Sequence, residues 1–261
     1  MFRKNVVGLF VALLILAAGV VYVFTIFLNK ENSSEPIAAI PLDASVVMRF
    51  SSAQQFVNLK DEGTEFQKIL ATTAWFRSFT EQELSVSKIF EGNEVLQHLF
   101  TSTPLFCSIH PLGKGGNRVA FFLQIPPEIH TSQLNGLTTY LEGRGIKIES
   151  SIYQGSDVLH LQLGKSFDLD IYYAIVNRIA ILSSNRMIVE AAIRQLSSGE
   201  SLLKSEGFKL LWKTLGDNST INMLVNGRKI SATLQPLLGN TLTRSARLLD
   251  KMSDWIAVDG Y

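Results

Sequence analysis

The sequence predicts an α+β domain, a largely antiparallel sheet built from hairpins with helices inserted between them, preceded by one N-terminal transmembrane helix. Three observations carry that prediction. The run "VVGLFVALLILAAGVVYVFTIFL" from Val6 to Leu28 holds no charge. Downstream, segments of period-two alternation come in pairs separated by tight-turn residues, the signature of half-buried antiparallel strands. Between the pairs, apolar residues recur at helical spacing, and the order hairpin followed by helix occurs twice.

The apolar run comes first. A helix rises about 1.5 Å per residue, so these residues reach about 34 Å and cross a hydrocarbon core of about 30 Å with a modest tilt. Secretory signals have shorter apolar cores and a small-residue cleavage site, whereas the only small cluster here, Ala17-Ala18-Gly19, lies mid-run. A retained anchor is the favoured reading. Arg3 and Lys4 precede it, while Lys30 after it is offset by Glu31 and Glu35, so the N-terminus is expected in the cytoplasm. The division that follows is a cytoplasmic tail over 1–5, a transmembrane helix over 6–28, a polar linker "NKENSSEP" over 29–36 and an extracytoplasmic domain over 37–261. The expected location is the cytoplasmic (inner) membrane, single-pass type II, with the domain in the periplasm.

The body from Ile37 onward is about 225 residues, enough for one large domain or two small ones. Hydrophobic residues make up 46% of the chain and charged residues 18%, a globular balance. Beyond the anchor the net charge is about −2, which gives no global attraction to nucleic acid. The single cysteine, Cys107, forms no intrachain disulfide, so packing alone must hold the fold. Within "PLFCSI" it reads as a small buried hydrophobe.

Taken in order, "SVVMRF" alternates Val46, Met48 and Phe50 against Val47 and Arg49 and reads as a strand. Phe66, Ile69, Leu70 and Thr73 mark one helix, and Val95, Leu96, Leu99 and Phe100 another after the break at Gly92. "PLFCSIHPLGKGGNRVAFFLQIPP" reads as two strands around a glycine-rich turn, with Val119, Phe121, Leu123 and Ile125 in alternation. A helix follows, with Leu134, Leu137 and Leu141 on its buried face and Gly143 near its end. "IKIESSIY" and "VLHLQL" add strands, the first setting Ile146, Ile148 and Ile152 opposite Lys147, Glu149 and Ser151. The pattern then repeats: "LDIYYAIVNRIAILSS" is a hairpin turning at Asn177-Arg178, and in the next helix Val189, Ala192, Ile193 and Leu196 share a face while Glu190 pairs with Arg194. A short helix with Phe208, Leu211, Trp212 and Leu215, the strand "TINMLV", a helical region to Met252 and a strand at "DWIAV" complete the chain. The strand character of Trp255 to Tyr261 leaves open that the protein continues.

The residues argue against most local chemistries. His98, His110, His130 and His160 are scattered without metal-ligand spacing and read as surface or strand-edge histidines. Two S-x-x-K tetrads, Ser85 to Lys88 and Ser201 to Lys204, have the spacing that puts a lysine one helical turn from a nucleophilic serine, but S-D-N and K-T-G partners are missing. Ser201 reads better as a cap. "GKGGN" at Gly113–Asn117 is followed by a strand and is a turn, not a phosphate loop. Asp168 and Asp170 share a strand face with no third carboxylate nearby, so they read as solvent-facing. Arg244, Arg247 and Lys251, with Arg228 and Lys229, form a basic stripe that reads as a solvated helix face before a headgroup or anionic-polymer contact. Among the aromatics, only Trp75, Phe122 and Tyr172 or Tyr173 are left over for a partner.

With these strings in view, the anchor followed by "IPLDASVVMRF", "PLFCSIHPLGKGGNRVAFFLQIP", "NRIAILSSNRMIVEAAIRQLSSGESLLKSEGF" and "DWIAVD" resembles an uncharacterised family of anchored exported proteins of Bacteroides-type bacteria, known as a domain of unknown function. The resemblance implies a cytoplasmic-membrane protein facing the periplasm and a longer chain. It implies no reaction and no ligand.

The expected function is therefore a non-enzymatic interaction or scaffold module of the cell envelope, with the membrane and an envelope protein as partners, and no catalytic residue, cofactor, metal or small-molecule ligand assigned. The alternative is an envelope serine hydrolase using an S-x-x-K serine.

Overall fold

A computed structural model of the chain describes residues 35–58, 93–111, 117–143, 145–162, 170–216, 219–234, 250–251 and 254–260. The chain divides after Ser33, and all of these residues belong to the unit Ser34–Tyr261. The anchor expected over 6–28 and the helix expected around Phe66 lie outside the described residues. Among those described, no helix is long and apolar enough to cross a membrane.

The unit is built on one sheet of nine strands in the order β4-β5-β6-β7-β3-β2-β1-β8-β9. The strands are β1 Val46–Phe50, β2 Leu105–Pro111, β3 Asn117–Gln124, β4 Lys147–Tyr153, β5 Ser156–Gln162, β6 Asp170–Val176, β7 Ile179–Ser183, β8 Ile221–Asn226 and β9 Trp255–Gly260. Every neighbouring pair is antiparallel. The α+β reading thus holds for this unit. The β6–β7 turn is sharp because Asn177 and Arg178 both take positive φ, 49° and 61°, the backbone a two-residue type I′ hairpin requires.

Helices lie between the strands as α1 Ala53–Asn58, α2 Glu94–Ser102, α3 Thr131–Gly143, α4 Arg186–Ser198, α5 Glu206–Thr214 and α6 Ile230–Leu234. Side chains of Asn93 and Asn185 cap α2 and α4 by accepting from Leu96 N and Met187 N, and Gly199 closes α4 in the left-handed region at φ 68°. The positive-φ glycine after α3 is Gly145 at 83°.

Because side chains alternate along each strand, the sheet has two apolar faces. One carries Val47, Phe106, Ala120, Phe122, Ile181 and Leu224 and is packed by Val189, Ala192 and Ile193 of α4, by Phe208 of α5, and by an N-terminal strap whose Ile37, Ala39, Ile40 and Ala44 are all fully buried. The other carries Val46, Met48, Phe50, Leu105 and Cys107 beneath Phe56 of α1. Further along, Ile125, Ile129 and Ala180 pack with Val95 and Leu99 of α2.

Four expectations need correcting. Phe122 is not left over for a partner: it is fully buried at the centre of the first face. Ile152 is expected on the same side of its strand as Ile146 and Ile148, yet it is 75% exposed, because β4 is an edge strand and among the described residues only the opposite face of its end, at Tyr153, is packed. Glu190 pairs with Arg186, at 2.7 Å, rather than with Arg194, whose guanidinium instead donates to the Tyr153 hydroxyl. Pro36, assigned to the linker, is buried in the 3-10 turn Pro36–Ala39 that opens the strap.

Candidate functional site

The strap ends in the sequence "LDAS", and its Asp43 meets β2. On β2, Ser108 and His110 are two residues apart and point to the same face. His110 Nδ1 lies 2.8 Å from Asp43 Oδ1, and His110 Nε2 lies 2.7 Å from Ser108 Oγ. The Asp43 carboxyl is held below its ordinary range, first by the hydrogen bond from His110 and further by the charges of His110 and then Lys229, against the opposing effect of burial. An ionised carboxylate only accepts, so Nδ1 carries the proton and donates to Asp43; in the neutral imidazole Nε2 then accepts from the Ser108 hydroxyl. This is the polarity of a serine–histidine–aspartate triad.

Its burial is inverted. In a working triad the serine faces substrate, but here Ser108 and His110 are both fully buried while the Asp43 side chain is 65% exposed. Ser108 sits between the fully buried Val47 and Ala120 on neighbouring strands. Asp43 also belongs to the strap packed over this face, so movement of the strap would remove the acid as it uncovered the hydroxyl. In this conformation no substrate carbonyl reaches Ser108 Oγ, and the chain of bonds fastens the strap to β2.

Other side chains finish the fastening. Gln195 of α4 donates to the carbonyls of Ala38 (3.2 Å) and Ile40 and accepts from Leu42 N at 3.0 Å. Lys229 Nζ donates to Leu42 O at 3.0 Å; partial burial lowers its pKa, opposed by the Asp43 charge. Ser45 Oγ donates to Ile109 O at 2.9 Å. Beside the strap lies an open groove of about 670 Å³, bounded by Leu42, Asp43, Gln154, Arg194, Gln195 and Glu200.

No family model, curated protein or solved structure matches the chain. The site must therefore be read from its own residues.

The S-x-x-K serine that is described, Ser201, caps the 3-10 turn Leu202–Lys204 by accepting from Leu203 N at 3.2 Å. Lys204 turns to Glu200, 3.4 Å away, and stays exposed. The cap reading stands for Ser201. Ser85 and Lys88 lie outside the described residues, as do Asp168, Arg244, Arg247, Trp75 and residues 113–116 of the glycine-rich turn; Asn117 begins β3 and Asp170 begins β6.

Of the four histidines, His130 is exposed and His98 lies 3.6 Å from Glu128 at the surface. His110 is the correction, since a surface or strand-edge histidine was expected and a fully buried one is found. His160 lies on β5, one strand inside the edge, and stacks on Tyr172 at 4.6 Å between ring centroids. Tyr173 contributes to the second face, where burial pushes its phenol up. Neither tyrosine is left over. Burial likewise pushes the Cys107 thiol up and keeps it inert as a nucleophile.

The basic stripe is only partly described. Arg228 pairs with Asp254, Lys229 is committed to the strap, and Lys251 is exposed. Among the described residues no group of three His, Cys, Asp or Glu side chains is arranged to hold a metal.

Proposed function

We propose that this chain is a membrane-tethered periplasmic interaction or scaffold module of the cell envelope, without an enzymatic role of its own. The observation that carries the reading is the fate of the serine arrays: Ser108 ends its triad-like chain with no exposed surface, and Ser201 is spent on a helical cap. Buried, fully bonded polar chains of this kind specify how elements pack. The uncharged run Val6–Leu28 supports the tether, which raises the local concentration of the domain near envelope partners. The resemblance to anchored exported proteins points the same way.

Proximity crosslinking of the full chain in its own envelope, followed by pulldown, tests the reading. A fluorophosphonate or penicillin labelling lane is run beside it. A reproducible envelope partner with an unlabelled band is the expected result. A band labelled through Ser85 or Ser108, and lost on Ser85→Ala or Ser108→Ala, would replace the reading with a serine hydrolase.

A further inference from the structure

The strap follows the expected anchor after residues 29–35, so a pull on the anchor enters the domain at the Pro36 end of the strap. Its opening turn lies over β3, β7 and α4, where Ile37, Ala39 and Ile40 are fully buried. Side chains grip its backbone one after another: Gln195 takes the carbonyls of Ala38 and Ile40 and the amide of Leu42, Lys229 takes the carbonyl of Leu42, and His110 takes the Asp43 carboxylate. Bonds met in sequence yield singly. At Ser45 the attachment changes, because Ser45 N donates to Ile109 O at 2.8 Å, Asn226 N donates to Ser45 O at 2.7 Å, and β1 follows with a ladder on each side. Those backbone bonds carry a load together.

We infer that the strap is a load-release latch: tension on the membrane tether strips residues 36–44 from the sheet and stops at Ser45, lengthening the tether and baring the strap's seat while the sheet stays folded. An extended chain spans at most about 3.5 Å per residue, so residues 29–35 reach about 25 Å and stripping residues 36–44 adds up to about 30 Å. The reach of the domain from the bilayer is thereby roughly doubled. The bared seat is apolar, since Phe122 of β3 and Ile181 of β7 have no exposed surface while the strap is in place, and a contiguous apolar patch open to water is a docking surface for another chain. The inference rests on the tether of the module reading and gives that module a surface it offers only under load.

Force spectroscopy on the full chain in detergent tests this, with thiol handles at Asn29→Cys and at Met187→Cys, an exposed position on α4. The native Cys107 is buried and takes no handle. An early, reversible lengthening of no more than about 30 Å is expected at low force, ahead of a separate unfolding of the sheet. Gln195→Ala should shorten the lifetime of the seated strap at fixed force at least ~10-fold, and Lys229→Met, which removes a single donor, by a smaller factor. Neither should change the force of the later event, because the strap has left by then. One cooperative event without an early step would overturn the inference. So would an early step that neither variant shifts, or one that lengthens the chain well beyond the strap. The handle stands in for the membrane, so loss of the early step fails the latch alone, whereas an envelope without a crosslinked partner fails the module reading.

Discussion

The strap Pro36–Ser45 and strand β1 are consecutive in the chain and are held by opposite means. β1 is central, laddered to β2 on one side and β8 on the other. Among the described residues, the strap before Ser45 makes only local backbone bonds, such as Ile40 N to Ile37 O and Ala44 N to Pro41 O; its long-range bonds there come from the side chains of Gln195, His110 and Lys229. A ladder tolerates the loss of any one side chain because its bonds are made by backbone. A segment pinned by three side chains depends on each of them, which makes the strap the more fragile region to polar substitution although its Ile37, Ala39, Ile40 and Ala44 are as deeply buried as the core residues of the sheet.

The largest expected effect tests that equality of burial. Phe122→Ala on the sheet should cost about 4 kcal/mol and Ile40→Ala on the strap about 3 kcal/mol, both by opening a cavity in the same core. Denaturant unfolding measures each, and an Ile40→Ala loss below about 1 kcal/mol would show that the strap is a surface attachment.

Next comes the pin that distinguishes strap from ladder. Gln195→Ala leaves the buried Ile40 carbonyl and the Leu42 amide without their partner, a cost of about 2 to 3 kcal/mol. It should also raise hydrogen exchange over 36–44 more than over β1. Equal acceleration in both segments would break the comparison.

The His110 pin has a pH signature. The Asp43 carboxyl is lowered in the folded state, so the stability it contributes is present above the ordinary carboxylate range and is lost as pH falls through its folded value. The melting temperature of the native chain should fall more steeply below about pH 4 than that of Asp43→Asn, in which the slope from this group is absent. Ser108→Ala should cost about 1 kcal/mol, since it removes the hydrogen-bond partner of His110 Nε2 inside the core. Identical acid profiles for the native chain and Asp43→Asn would remove Asp43 from the fastening.

The smallest effect is expected away from both regions. Met187 and Leu210 are more than 60% exposed, and Met187→Ser or Leu210→Ser should shift stability by less than about 0.5 kcal/mol. A larger loss at either position would mark a covered surface.

Much of this architecture is legible in the sequence, and the exceptions have two causes. The strands β1 to β9 and the helices α2 to α5 announce themselves by period, and the N-cap role of Ser201 by its place before a helical turn. "PIAAIPLDAS" has neither period, so it announces no element, and its Pro36 reads as the end of the linker while Ile37 onward reads as domain. The signal for the buried histidine was present in part, since Ser108 and His110 alternate on a strand whose other residues are apolar. Its deciding partner, Asp43, is 67 residues away in the chain. Ile152 failed for a different reason: alternation says which side of a strand a residue occupies, while exposure depends on whether another element covers that side.

By itself, then, the sequence determined where strands and helices form, that the strands pair in hairpins, and that an uncharged segment long enough to span a bilayer precedes them. These are local properties, set by backbone periodicity and by the few residues that close a turn or cap a helix. The tertiary structure alone decided that the strap seals one face of the sheet and that a triad-like chain ends on a buried serine. Those outcomes depend on which distant surfaces meet, and burial and long-range hydrogen bonding exist only once they have met.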